Sequence, residues 1–268
     1  MKQRRSPLLI SIAGFGYALL YVPIVSVVIY SFNASRLVTL WGGFSTRWYV
    51  SLLADDKLLS AALLSLRIAV VSATLATALG ALVALALQRV RRLPGRILLS
   101  GMITAPLVMP EIITGLSLLF LFISMASLIG WPLSRGASTI TIAHITFSMA
   151  YVVVVVRSRL AVLDESLEEA AMDLGGRPVA VFFDITVPML LPALVSGWLL
   201  AFTLSLDDLV ISSFVSGPGA TTLPMLIFAK VRLGVTPDIN AITTIIIGLV
   251  IIAVTTASLI TGRRRASA

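Results

Sequence analysis

Six apolar runs, at about 8–30, 62–87, 97–125, 138–156, 189–213 and 240–261, take up most of this chain of 268 residues. Each is close in length to the ~20-residue helix that crosses a hydrocarbon core of roughly 30 Å. A chain built this way has lipid as its main solvent. In lipid no water can satisfy a stray backbone N–H or C=O, so each run has to close its own hydrogen bonds as a helix. Only 12% of the residues are charged and 58% are hydrophobic, whereas a soluble domain carries about 25% charged residues. No polar stretch is long enough for a sizeable water-soluble domain. The expected fold is all-α: one polytopic membrane domain over 1–268 with six transmembrane helices.

Charge placement orients those spans. Lys2, Arg4, Arg5, Arg89, Arg91, Arg92, Arg96, Arg157, Arg159, Arg177 and Arg263 to Arg265 fall on one side, thirteen in all. Arg36, Arg47, Lys57, Arg135, Lys230 and Arg232 fall on the other, six in all, with Arg67 inside the second run. The positive-inside rule puts the richer side, and with it both termini, in the cytoplasm. The net charge of +8 is thereby explained by topology, and nucleic acid is not an expected partner. The first run is too long for a signal-peptide core and lacks a clear small-x-small cleavage site, so it reads as a retained span. With no cysteine, disulfides and thiolate–zinc sites are excluded. The second run is rich in Ala around Gly80, which suits close helix packing. Pro106 and Pro110 should kink the third run or break its first turns. Trp41, Trp48, Tyr49 and Trp131 suit interface anchors.

One segment, at about 157–188, is charged and helix-forming yet lies between two apolar runs. Ser166-Leu167-Glu168-Glu169 fits a capping box, Ser166 and Glu169 satisfying each other's backbone N–H groups. Leu167, Ala170, Ala171 and Leu174 share one stripe at i, i+3, i+4 and i+7. Glu165, Glu169 and Asp173 share another face. Gly175-Gly176 should stop the helix, and 178–187 should lead into Pro188 and the fifth span. A helix resting on lipid usually shows Lys and Arg on its polar face. This one shows carboxylates, which favours a protein partner.

Three acids fall in or beside the spans. Glu111 lies about midway along the third run, and Asp207 and Asp208 lie toward the end of the fifth. Intramembrane carboxylates mark a pathway or a paired group. Asp207 and Asp208 fit either a pathway or a solvated helix end. Glu111 fits a pathway, a neutral acid or a partner for Arg67. His144 is the only histidine, which fits helix packing better than a metal site. No Gly-rich loop ending in Gly-Lys-Ser/Thr is present, so nucleotide would have to bind another subunit.

The order Glu169-Ala170-Ala171, three residues, Gly175, nine residues, Ile185-Thr186-Val187-Pro188 resembles the cytoplasmic loop of permease subunits of ATP-driven (ABC-type) importers, with Val187 where that family usually has Leu. The stretches 43–49, 204–218, 223–224 and 235–241 are similar to permeases of polyamine importers, and among these to putrescine permeases. The resemblance covers nearly the whole chain and implies a type I permease fold in a bacterial inner membrane. It implies that Glu168, Glu169, Ala170, Ala171, Asp173, Leu174, Gly175, Ile185 and Pro188 form the docking loop for an ATPase. Expected partners are a second permease, two ATP-binding subunits holding ATP and Mg, and a periplasmic polyamine-binding protein. Glu111, Asp207 and Asp208 would lie along the substrate path.

Three rival readings remain at this point. An ABC permease for another small solute would keep the loop. An ion-coupled carrier would need no docking loop and often shows repeated halves, and no clear repeat is visible. An intramembrane aspartyl protease needs two acids converging from different helices, whereas Asp207 and Asp208 are neighbours.

Overall fold

The computed structural model describes residues 7–37, 40–90, 92–234 and 237–266. Lys2, Arg4, Arg5 and Arg91, named above, and positions 235 and 236 of the stretch 235–241 lie outside the described residues. The described chain is helical, with a single isolated bridge between Asn33 and Phe44. In order it forms α1 (Pro7–Tyr30), α2 (Arg47–Leu53), α3 (Asp56–Arg89), α4 (Arg96–Val108), α5 (Glu111–Ile129), α6 (Ala137–Leu160), α7 (Ser166–Asp173) and α8 (Pro178–Val181). A π-turn over Phe182–Thr186 then leads into α9 (Val187–Leu206), followed by α10 (Val210–Val215), α11 (Leu223–Leu233) and α12 (Pro237–Ala266). Among the described residues, five helical stretches are long and apolar enough to cross a bilayer: Ser11–Tyr30, Asp56–Arg89, Glu111–Ile129, Ala137–Leu160 and Pro178–Leu206.

Two of the expected spans are not single helices. The third run divides at Met109 and Pro110, both with ψ of 138°. Pro110 disfavours helical backbone in the residue before it, which forces Met109 into extended geometry. Pro106 sits inside α4 without ending it. The run expected at 189–213 ends at Leu206, and α10 starts afresh at Val210. At its other end the stretch is longer than expected, because α8, the π-turn and α9 are continuous. Pro188 has no N–H to give to residue 184, and its ring crowds that carbonyl. The wider π-turn at Phe182–Thr186 absorbs the mismatch.

The chain forms two compact units, one of residues 60–226 and one of residues 1–59 with 227–268. In the first, α6 is the most buried span, with 56% of its most apolar window inside. Val152 of α6 is fully buried. A Cβ on Gly80 of α3 would lie 2.9 Å from Val152 Cβ, and one on Gly197 of α9 would lie 3.3 Å from its Cγ1. The glycines let three helices close around one branched side chain. A second cluster joins Leu118 and Phe122 of α5 to Ile140 and Phe147 of α6 and to Ile211 and Val215 of α10.

In the other unit, α1 and α2 both pack on α12. The Asn33 side chain ties its loop together, accepting from the N–H groups of Ser35 and Gly42 and donating to the Leu40 carbonyl. Lys230 Nζ sits 3.2 Å from Asp55 and 3.0 Å from Asp238. Burial works against the Lys230 charge, but the two carboxylates outweigh it and hold the ammonium above its ordinary value.

Candidate functional site

Helix α7 has no buried residue, although half of it is apolar. Leu167 is 49% exposed and Leu174 is 90% exposed. Ala170 is exposed beside them and Ala171 partly so. The stripe read from the sequence therefore faces away from the rest of the chain. Glu169 and Asp173 flank it and are exposed. Ile185 is half-buried in the π-turn, and Pro188 is exposed at the foot of α9.

The helix start differs from the expected capping box. Ser166 is already helical, and the N-cap residue is Glu165, whose side chain makes no capping bond. The Ser166 N–H instead donates to Asp164 Oδ1 at 3.0 Å, so an Asx-type turn takes over the role. The stop is a Schellman motif. Gly175 N–H donates to Met172 O at 2.9 Å, and Gly176 N–H to Ala171 O at 3.0 Å. Gly175 has φ +90°, and a Cβ on Gly176 would sit 2.7 Å from Ala171 O. Both positions require glycine, one for its left-handed backbone and one for close approach.

The inward face of α7 is polar. Glu168 Oε2 accepts from Arg89 Nη1 at 2.5 Å, and Oε1 from Nη2 at 2.7 Å. This is a two-pronged fork between the last residue of α3 and the first turn of α7. Thr186, in the π-turn, adds its hydroxyl to Glu168 Oε1 at 2.7 Å. Glu165 lies 3.8 Å from Arg89 Nε. The Arg89 guanidinium holds the Glu168 carboxyl below its ordinary value, against the opposing effect of burial. Beside the fork is a cleft of about 200 Å³ lined by Leu85, Met172, Pro178, Val181 and Phe182.

The three acids near the spans have separate surroundings. Glu111 is exposed at the first turn of α5, just past the Met109–Pro110 break, rather than in mid-helix. Among the described residues it makes no ion pair with Arg67, which is also exposed. Asp207 is exposed where α9 ends. Asp208 has a side chain only 7% exposed. It accepts from the N–H groups of Ile211 at 3.1 Å and Ser212 at 2.7 Å, capping α10. Its Oδ2 is also 3.1 Å from His144 Nε2. Since Asp208 already accepts backbone N–H groups, Nε2 carries the proton toward it. His144 Nδ1 meets Ser205 Oγ at 2.6 Å, and Ser72 donates to Ser205 at 3.0 Å. One buried polar chain thus crosses α3, α9 and α6 to reach the break before α10.

Sequence reasoning missed Arg89 as the partner of Glu168, Ser205 and Ser212 as partners of His144 and Asp208, and Ser72 as the partner of Ser205. The second group carried a signal: single polar residues in apolar runs have to find one another. Among the described residues no group of three or more His, Asp or Glu is placed to hold a metal ion.

Residues 76–263 match the family described as binding-protein-dependent transport system inner membrane component. Over 246 residues the chain is 61% identical to the putrescine transport system permease protein PotI of Escherichia coli K12, covering 92% of this chain and 88% of that protein. Over 244 residues it is 43% identical to the spermidine/putrescine transport system permease protein PotC of the same strain, covering 91% and 90%. A chain from the crystal structure of a bacterial ABC transporter that imports the acidic polysaccharide alginate superposes with TM-score 0.72 over 94% of each chain. At 18% identity that likeness concerns the fold.

Proposed function

The chain belongs to the binding-protein-dependent transport system inner membrane component family, and from that footing we propose that it is the permease subunit of an ATP-driven importer carrying putrescine across the bacterial cytoplasmic membrane. The observation that carries the reading is the 61% identity to a putrescine permease over 92% of the chain. The outward apolar stripe of α7 supports it, because that surface needs a partner in water and none of the described residues buries it.

In this reading both termini and α7 face the cytoplasm, and six passes cross the bilayer. Leu167, Ala170, Ala171 and Leu174 seat α7 against an ATP-binding subunit, and Glu169 and Asp173 meet its basic side chains. Small Ala side chains let the two surfaces approach. Gly175, Ile185 and Pro188 set the angle at which α7 leaves the bundle. ATP and Mg bind in that partner. The whole importer holds a second permease, two ATP-binding subunits and a periplasmic binding protein. Glu111, Asp207 and Asp208 offer carboxylates near two breaks in the helices, where a diammonium substrate losing its water would find replacement ligands.

Reconstituted import tests the proposal. Proteoliposomes holding the assembled complex, given binding protein and ATP, should accumulate labelled putrescine and should not do so without ATP. Uptake of spermidine with no uptake of putrescine would move the substrate to the other branch. Uptake driven by an ion gradient without ATP would overturn the reading.

A further inference from the structure

The path from the docking helix to the spans has a weak covalent link. After α7 the chain passes through Gly175, at φ +90°, and Gly176 before α8 begins at Pro178. Two backbone hydrogen bonds hold that joint, Gly175 N–H to Met172 O and Gly176 N–H to Ala171 O, and its glycines have no side chains to pass on a push. The fork between Glu168 and Arg89 bypasses it. Two charge-assisted hydrogen bonds in one plane fix orientation as well as distance, and Thr186 ties the same carboxylate to the π-turn. Arg89 ends a 34-residue helix. Ser72 lies 17 residues back along it, about 26 Å away at 1.5 Å per residue. There Ser72 joins Ser205, and Ser205 joins His144, which holds Asp208.

The geometry points to Glu168 as a positioning residue: its fork with Arg89 clamps the docking helix to α3, and α3 carries the movement of the docked ATPase to the polar chain at the α9–α10 break. This inference rests on the proposed docking role of α7. It separates Glu168 from its neighbour Glu169, which is free to meet the partner. Glu168 does its work within this chain, so its loss uncouples the complex without detaching the ATPase.

The test uses the full complex carrying Glu168→Gln, Arg89→Gln, or the exchange of Arg89→Glu with Glu168→Arg. The expected result is wild-type co-purification of the ATP-binding subunit in all three. Putrescine imported per ATP should fall about three- to ten-fold in the single variants, within the roughly two- to thirty-fold that a coupling contact commands, and the exchange should recover most of the loss. Hydrogen exchange over 166–173, measured on the permease alone in nanodiscs, should rise in Glu168→Gln and return in the exchange. Unchanged import per ATP in Glu168→Gln would overturn the inference. So would loss of the ATP-binding subunit that the exchange fails to restore, since Glu168 would then be a docking contact. If the unmodified complex shows no ATP-driven import, the functional reading fails instead, and the hydrogen-exchange result still decides whether the clamp exists.

Discussion

Glu168 and Glu169 are adjacent on α7 and face opposite surroundings. Glu168 is forked onto Arg89 with its side chain 17% exposed, while Glu169 stands exposed beside the apolar stripe. The same helix thus holds its own bundle with one carboxylate and offers the other outward.

The stripe can be tested at Leu174, which is 90% exposed. Leu174→Ser removes no buried contact, and surface changes of this kind shift stability by only about 0.5 kcal/mol. The melting temperature of the isolated permease should stay put. Pull-down of the ATP-binding subunit should fall several-fold. A large drop in melting temperature with normal pull-down would show that the stripe packs within the chain.

Gly175→Asp forces a side chain onto a backbone with φ +90°. For a residue with a Cβ the left-handed region costs roughly 1–2 kcal/mol, which is too little to prevent insertion but enough to turn the exit of α7. The variant should reach the membrane at normal levels and import little. Membrane fractionation with uptake assays checks both halves.

The fork sets a pH window. Glu168 has a folded pKa below its ordinary value of 4.5, so its stabilisation is fully present above that value and is lost as pH falls through the folded pKa. The gap in melting temperature between the unmodified permease and Glu168→Gln should be flat from neutral pH down to about 5 and should narrow below the ordinary carboxylate range. A gap that widened on acidification would reverse the sign and remove the ion pair from the account.

His144 is 2% exposed and serves three partners. His144→Ala would strand buried groups on Ser205 and Asp208, at a cost of about 2–3 kcal/mol. Ser72→Ala removes one terminal donor and should cost about 1 kcal/mol. Thermal unfolding in nanodiscs should rank the two in that order.

The helices were readable because lipid permits little else: a long apolar run has to be helical. The breaks were harder. Pro106 and Pro110 look alike in sequence, yet only Pro110 ends a helix. Val210–Val215 is as apolar as the end of α9, so hydropathy joined them, and the separation comes from Asp208 turning back to cap α10. The outward apolar stripe of α7 was legible from periodicity alone. The direction of Glu168 was not, because its partner lies 79 positions away and no local rule selects Arg89 over the other arginines of that side.

The chain has no cysteine, so a single introduced thiol reports its own neighbours. In an importer assembled and active for putrescine, Leu174→Cys should cross-link to the ATP-binding subunit with a short thiol–amine reagent. Leu133→Cys, at a site 97% exposed in the loop after α5, should not. Cross-linking from Leu133→Cys, or none from Leu174→Cys in an active complex, would contradict a permease driven through α7.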